Sequence, residues 1–277
     1  MLFFPSMRKR VKGILIGNPV DKSISHLTHN ALLKLCDIDG VYEKLSIIEE
    51  EFEEKILFLR QGNYRWIAVT MPYKEKIIPY LDELSPDASA IDAVNMISIE
   101  EGRWIGHNTD GLGALNAIER IERVFGMDLI ILGAGGTAKA IAYEAKKRGA
   151  NVFICNRTVE RAHKLAGQIG VTQIEEIPAR YDCIINATSI GMSPQNHLIP
   201  IEKNKVLGGA VLLDVIYAPR KTALIQLGEE KGCKTVLGEE MFAELSHAQF
   251  KIVFENQISL SLVRQMVTSS VLAISSY

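Results

Sequence analysis

At 277 residues, 47% hydrophobic and 23% charged, the chain is long enough for one large or two ordinary domains with cores of their own. Its 31 Lys and Arg against 33 Asp and Glu leave a net charge of −2 and a pI near 6.3, too weak a field to gather a polyanion or an anionic membrane. Neither nucleic acid nor a membrane is the expected partner.

The chain opens MLFFPSMRKRVKG, a brief apolar patch followed by basic residues, the reverse of a signal peptide, so residues before Val11 read as a loose tail. From there short β-rich runs alternate with helical stretches. VKGILIG is the first strand, and in SHLTHNALLKLC the residues Leu27, Ala31, Leu32 and Leu35 fall at helical spacing. A charged helix is expected over about 49–60, a strand over 66–70, and helices over about 73–84 and 86–93. AVNMISIEEGRWIGHNTD reads as a hairpin turning at Glu101 and Gly102, which closes a first unit.

After a connecting helix over about 113–124 the pattern restarts as DLIILGAGG, TAKAIAYEAKKRG, ANVFICNR, TVERAHKLAGQIG, YDCIINATS and AVLLDVIY, strand and helix in turn. These strands are nearly all apolar, as strands buried on both faces must be. Two amphipathic helices, about 239–255 and 257–275, follow and are expected to pack back on the first unit. The fold class is therefore α/β with two domains: an N-terminal α/β unit of residues 1–112 plus 240–277, and a Rossmann-like doubly wound unit of residues 113–239. Cys36, Cys155, Cys183 and Cys233 form no CxxC pair and have no His at zinc-site spacing, so neither a disulfide nor a metal is expected and a reducing cytoplasm fits.

Gly133-Ala134-Gly135-Gly136-Thr137-Ala138 follows an apolar strand and opens a helix, the setting in which G-x-G-x-x-A lets backbone amides approach a pyrophosphate at the positive helix end. A carboxylate that would accept the ribose hydroxyls of NAD is expected at the end of the next strand, which here reads Asn156-Arg157-Thr158. Arg157 suits the extra phosphate of NADP, which is favoured over NAD. Arg157 is otherwise a solvated strand-end charge, and Thr158 is also a candidate helix cap.

Three segments of the first unit carry polar residues where strands end. In Gly17-Asn18-Pro19-Val20-Asp21-Lys22-Ser23-Ile24-Ser25, the two serines point the same way in an extended chain and suit a carboxylate, while Ser25 is equally a candidate helix cap. In Val69-Thr70-Met71-Pro72-Tyr73-Lys74, a lysine is placed where a helix dipole opposes its charge, a hint of proton-transfer chemistry against the default of a solvated side chain. In Asn108-Thr109-Asp110-Gly111, Asp110 is either a helix cap or the partner of Lys74 in general acid and base catalysis.

In their order along the chain, GNPVDKSIS, VTMPYK, AVNM, GHNTDG, GAGGTA, NRT, NATSIGM, DVIYAPRKTAL and GEEMF resemble the shikimate dehydrogenase family over about residues 13–254. The resemblance implies NADPH-dependent reduction of 3-dehydroshikimate to shikimate, in the pathway to chorismate and the aromatic amino acids. It implies Lys74 and Asp110 as catalytic residues, Ser23 and Ser25 on the substrate carboxylate, and Thr70, Asn95, Asp110 and Tyr217 on the ring hydroxyls. Gly133 to Ala138 would cradle the pyrophosphate, Asn156, Arg157 and Thr158 the adenosine phosphate, and Thr188, Val215, Gly238 and Met241 would line the nicotinamide side. The chain departs from the pattern at four places: Lys22 stands where the family usually has His, His26 where it has Pro, Ala68 where it has Asn, and Leu245 where it has a substrate-binding Gln, with Gln249 one helical turn on as a candidate replacement. Quinate or another cyclic hydroxy acid is the alternative substrate, a non-catalytic NADP-binding regulator the alternative class. Monomer or homodimer is the expected state, and relatives of the family occur fused to 3-dehydroquinate dehydratase.

Overall fold

The computed structural model describes residues 10–255 and 258–275. The expected loose tail, apart from Arg10, and the Gln257 start of the last helix lie outside the described residues. A first sheet is built from β1 (Val11–Gly17), β2 (Gly40–Ser46), β3 (Trp66–Val69), β4 (Glu83–Leu84), β5 (Met96–Glu100) and β6 (Arg103–His107), in the order β2-β1-β3-β5-β6-β4. β5 and β6 form the expected hairpin, with Glu101 and Gly102 both at positive φ in the turn.

The side-chain period of two places an apolar set on each face of this sheet. Ile14, Ile16, Ile67 and Val69 pack on Phe52, Ile56 and Leu59 of α2 (Phe52–Gln61). Leu15, Trp66 and Ala68 face Leu32 and Leu33 of α1 (Ser25–Leu35). The same core takes Phe250 and Val253 of α8 (Gly238–Phe254) and Val263, Val267 and Val271 of α9 (Leu260–Ser275), so the closing helices return to the first sheet.

A second sheet contains β7 (Asp128–Leu132), β8 (Asn151–Cys155), β9 (Thr172–Gln173), β10 (Cys183–Asn186), β11 (Val211–Asp214) and β12 (Lys234–Val236), all parallel, in the order β12-β11-β10-β7-β8-β9. Counted from β7 this is 3-2-1-4-5-6, the doubly wound order, whose direction reverses between β7 and β10, the place where sheets of this order take their ligands. Around it lie α5 (Gly136–Lys147), α6 (Val159–Ile169) and α7 (Ala223–Glu230), while α3 (Pro86–Ile91) and α4 (Asp110–Glu119) belong to the link between the sheets. α4 is wedged between α5 and α8. A Cβ on Gly111 would stand 2.2 Å from the Ala140 carbonyl oxygen, so only glycine lets α4 come this close to α5.

The expected helix over 73–84 is absent: the segment is a run of turns, a 3₁₀ turn at Ile78–Tyr80, and β4. Pro79 offers no N–H, and the Asp82 carboxylate is drawn away by Arg60 at 2.5 and 2.6 Å and by the Trp104 amide at 2.7 Å. β2, β9, β12 and α7 were not expected from the sequence; the strands are short or sit at sheet edges, and GVYEKLS in β2 buries only Tyr42 fully. Among the described residues no helix is long and apolar enough to cross a membrane.

His29 of α1 is wholly inside this core, stacked on Phe250 with ring centroids 5.6 Å apart and its Nδ1 2.9 Å from the Ser25 carbonyl. Burial, opposed by that carbonyl, lowers its pKa to about 4. The folded ring therefore stays neutral where the unfolded chain takes up a proton, so its stabilisation is full above about pH 6.5 and is lost toward about pH 4, about 3 kcal/mol in all. Equilibrium unfolding of His29→Phe at pH 7 and 4.5 is expected to show a smaller loss of stability with acid than the parent; an equal loss would assign the acid sensitivity to other groups.

Candidate active site

Lys74 follows a turn anchored from below by Tyr73, which is 1% exposed, stacks on Phe52 at 4.4 Å and donates its hydroxyl to the Ile47 carbonyl at 2.5 Å. The Lys74 carbonyl accepts from the Val94 amide at 2.7 Å, which ties the turn to the strand leading into Asn95. Lys74 does not begin a helix, so the expected conflict with a helix dipole does not exist. What faces its ammonium instead is Asp110: Nζ donates to Oδ2, and the two side chains are only 14% and 6% exposed.

Asp110 is the first residue of α4, not its cap; Thr109 holds the cap position without a side-chain bond to the helix. Its Oδ1 accepts from Asn95 Nδ2 at 2.7 Å and its Oδ2 from Thr137 Oγ1 at 3.2 Å. Asn95 also meets the Thr109 hydroxyl at 3.0 Å, and Asn108 Oδ1 accepts the Asp110 amide at 3.0 Å. Three donors, from Lys74, Asn95 and Thr137, thus converge on one carboxylate. Thr109 and Asn108 were not singled out from the sequence, although both stand directly before Asp110.

The serine segment lies alongside. The Asn18 amide donates to the Met71 carbonyl at 3.0 Å, and Thr70 follows β3 next to Gly17, with its amide on the Ile16 carbonyl at 2.9 Å. Ser23 Oγ donates to Ser25 Oγ at 3.0 Å, so the two hydroxyls do stand together. Ser25 begins α1 and Ile24 holds the cap position, so the expected cap role of Ser25 is not found. Burial pushes the Tyr217 phenol up, opposed by the nearby Ser23 hydroxyl and Ile24 backbone, and its ring lies 5.3 Å from that of Phe242. The Tyr42 hydroxyl is buried near Ser25 but without a hydrogen bond of good geometry.

In the second sheet Gly133 has φ +118°, and a Cβ there would stand 3.1 Å from the Ala187 carbonyl oxygen. The glycine loop thus turns against the end of β10 and delivers Ala134, Gly135 and Gly136 to the start of α5, whose first amides have no partner within the helix. Arg157 is exposed after β8 and, among the described residues, makes no ion pair; Asn156 Nδ2 donates to the Thr158 carbonyl at 2.9 Å, and Thr158 occupies the cap of α6 without side-chain capping. No carboxylate stands at Asn156, Arg157 or Thr158, directly after β8.

Thr188 is held by Asn186 Oδ1, which accepts its amide at 3.0 Å and its hydroxyl at 2.7 Å. Asn186 in turn donates to Asp214 Oδ1 at 3.1 Å, and Thr222 donates to Asp214 Oδ2 at 2.7 Å. The buried polar chain of Asn186, Asp214 and Thr222 was missed in the sequence, where its one signal is a polar residue closing each apolar strand. Val215 donates its amide to the Asn186 carbonyl at 3.1 Å, Gly238 opens α8 against the Ile216 carbonyl, and Met241 is 4% exposed within the core under the second sheet.

The arrangement is one found before. Residues 15–97 match the model of the shikimate dehydrogenase substrate binding domain, and residues 116–211 that of shikimate / quinate 5-dehydrogenase. A shikimate dehydrogenase (NADP(+)) of Pyrococcus furiosus is 38% identical over 257 residues, 91% of this chain and 93% of that protein. The chain belongs to the shikimate dehydrogenase family. Among solved structures, a shikimate dehydrogenase in complex with NADP+ superposes with a TM-score of 0.89 at 34% identity, covering 95% of this chain and 96% of the other. Shikimate 5-dehydrogenase of Thermus thermophilus, in complex with NADP(H) and shikimate, gives 0.87 at 28% identity, covering 94% and 99%.

Two of the departures from the family pattern, Ala68 and Leu245, pack in or against the core. Ala68 lies within β3, 6% exposed, opposite Leu15 and Met96. Leu245 packs on the core beside α4 and cannot hydrogen-bond. Gln249, one turn further along α8 and 4% exposed, donates Nε2 to Thr109 Oγ1 at 3.3 Å and so reaches the Asn95 and Asp110 group.

Asp214 is held at a cost. Burial raises its pKa to about 6 against the bonds from Thr222, the Ile216 amide and Asn186. A raised carboxyl is most favourable below the unfolded value near 4 and loses that advantage as pH rises through about 6, a penalty of about 3 kcal/mol at neutral pH. Asp214→Asn is expected to be more stable than the parent at pH 8 by up to that amount and equal to it below about pH 4, read from urea unfolding at both pH values.

Proposed function

We propose that this chain reduces 3-dehydroshikimate to shikimate with NADPH, reversibly, in the cytoplasm. The observation that carries the reading is the Lys74 and Asp110 ion pair, shielded from water and seated against the first turn of α5, where the glycine loop ends. NADPH, when bound at that loop, supplies the hydride. Gly133 and the free amides of α5 fit its pyrophosphate, and unpaired Arg157 fits its additional phosphate. Ser23 and Ser25, with Tyr217 near them, bind the substrate carboxylate, and Thr70 and Asn95 fix the ring hydroxyls.

As charge develops on the carbonyl oxygen, the Lys74 ammonium donates a proton to it; in the reverse direction the amine takes that proton back from the alcohol. Asp110 pairs with the lysine and holds it in place. Residues 1–112 plus 240–277 act as the substrate unit and 113–239 as the cofactor unit, a division supported by the core that α8 and α9 share with β1 and β3.

Leu245 opens one second reading, quinate or another cyclic hydroxy acid as substrate, because an apolar side chain stands where a shikimate hydroxyl would otherwise find a partner, at a cost of about 1–3 kcal/mol. Steady-state NADPH oxidation separates the two. 3-Dehydroshikimate is expected to have the higher kcat/KM, and a higher value for 3-dehydroquinate would transfer the assignment to quinate. No turnover of either ketone would leave the chain as a nucleotide-binding regulator.

A further inference from the structure

Lys74 Nζ has a second partner besides Asp110: it donates to Thr137 Oγ1 at 2.9 Å, and Thr137 Oγ1 donates in turn to Asp110 Oδ2 at 3.2 Å. The three groups close a ring of hydrogen bonds from three elements, the turn after β3 and the first turns of α4 and α5. An ammonium has three N–H donors. Two acceptors at fixed positions restrict its rotation and leave the third N–H for another acceptor.

Thr137 stands in the glycine loop motif, yet its hydroxyl is committed to the proton-transfer pair. The contact is supported along the whole of α5. A Cβ on Gly136 would stand 3.3 Å from Lys74 Cβ, so a side chain there would press on the lysine stem, which the bare glycine backbone leaves room for. Lys139, 5% exposed, pairs with Glu75 at 3.2 Å and with Asp92 at 3.7 Å, and further along Tyr143 and Lys147 both reach Asp87 at 3.0 Å. The turn carrying Lys74 is thereby docked on the helix that carries the cofactor loop.

We propose that Thr137 is a positioning residue that orients the Lys74 ammonium and makes that orientation depend on the docking of the cofactor unit. This rests on the reading of the chain as a shikimate dehydrogenase and assigns to Thr137 a task separate from holding the pyrophosphate, which backbone amides perform.

Thr137→Val keeps the shape and removes the hydroxyl, and Thr137→Ser keeps the hydroxyl. At saturating NADPH the valine variant is expected to lose roughly tenfold in kcat, the worth of one hydrogen bond to a charged group, with KM for NADPH changed by less than about twofold. The serine variant should recover most of kcat. A raised KM for NADPH with kcat unchanged would make the hydroxyl a cofactor contact and overturn the proposal, as would a serine variant as slow as the valine one.

A readout without turnover keeps the two readings apart. Lys74 is labelled with acetic anhydride and followed by peptide mass spectrometry, and should react about threefold faster in Thr137→Val than in the parent or in Thr137→Ser, since one acceptor no longer holds the amine. Equal labelling in all three overturns the positioning role even if shikimate is the substrate. A parent that turns over no shikimate, with the labelling difference intact, sinks the functional reading and leaves the contact standing. If Thr137→Val fails to fold, Thr137→Ala carries the same expectations.

Discussion

Replacing Lys74 with methionine is expected to lower kcat by about two to four orders of magnitude, the usual worth of a positioned proton donor. Methionine fills the space of the lysine stem and supplies no proton, so the alkoxide must be protonated by water. Asp110 keeps the Asn95 amide at 2.7 Å and the Thr137 hydroxyl at 3.2 Å, which limits the cost of losing its cation. The glycine loop is untouched, so the dissociation constant of NADPH, read from quenching of protein fluorescence, should stay within about threefold. A variant with the activity of the parent would remove Lys74 from the mechanism. A variant that also fails to bind NADPH would show that the loss runs through the fold of the cleft.

The second large effect concerns cofactor choice. Arg157 is exposed and unpaired among the described residues, so Arg157→Ala should fold with little penalty. An arginine on a phosphate is worth about 1.5–3 kcal/mol, so KM for NADPH should rise by about tenfold to a hundredfold while KM for NADH moves by less than about threefold. Arg157→Glu restores the carboxylate that accepts ribose hydroxyls and adds repulsion toward the phosphate, and should reverse the preference altogether. Steady-state kinetics with both cofactors checks the pair. Parallel rises in both KM values would mean that Arg157 supports the loop and does not read the phosphate.

These expectations draw unequally on sequence and structure. The doubly wound unit was legible because its strands are unbroken apolar runs and its glycine loop is a local motif. The polar chain through Asn186, Asp214 and Thr222 was not, because a buried polar residue looks like any strand end until its partners are known. The run over 73–84 misled for a related reason: its composition allows a helix, and the decision is made by Arg60 and Trp104, which take Asp82 to the sheet edge.

Lys74 and Asp110 mark where the division falls. Residue order alone identified both as candidates, together with Arg157 and the choice of NADP, because those assignments depend on residue types at fixed local offsets. That the two side chains meet, that Thr137 joins them from 63 residues beyond Lys74 and 27 beyond Asp110, and that Gln249 reaches Thr109 from a helix 140 residues further on were decided only by tertiary structure. Such contacts depend on how closely α4 can pack between α5 and α8, and that distance is set by side-chain volume at positions such as Gly111, far apart in the chain and adjacent only in the fold.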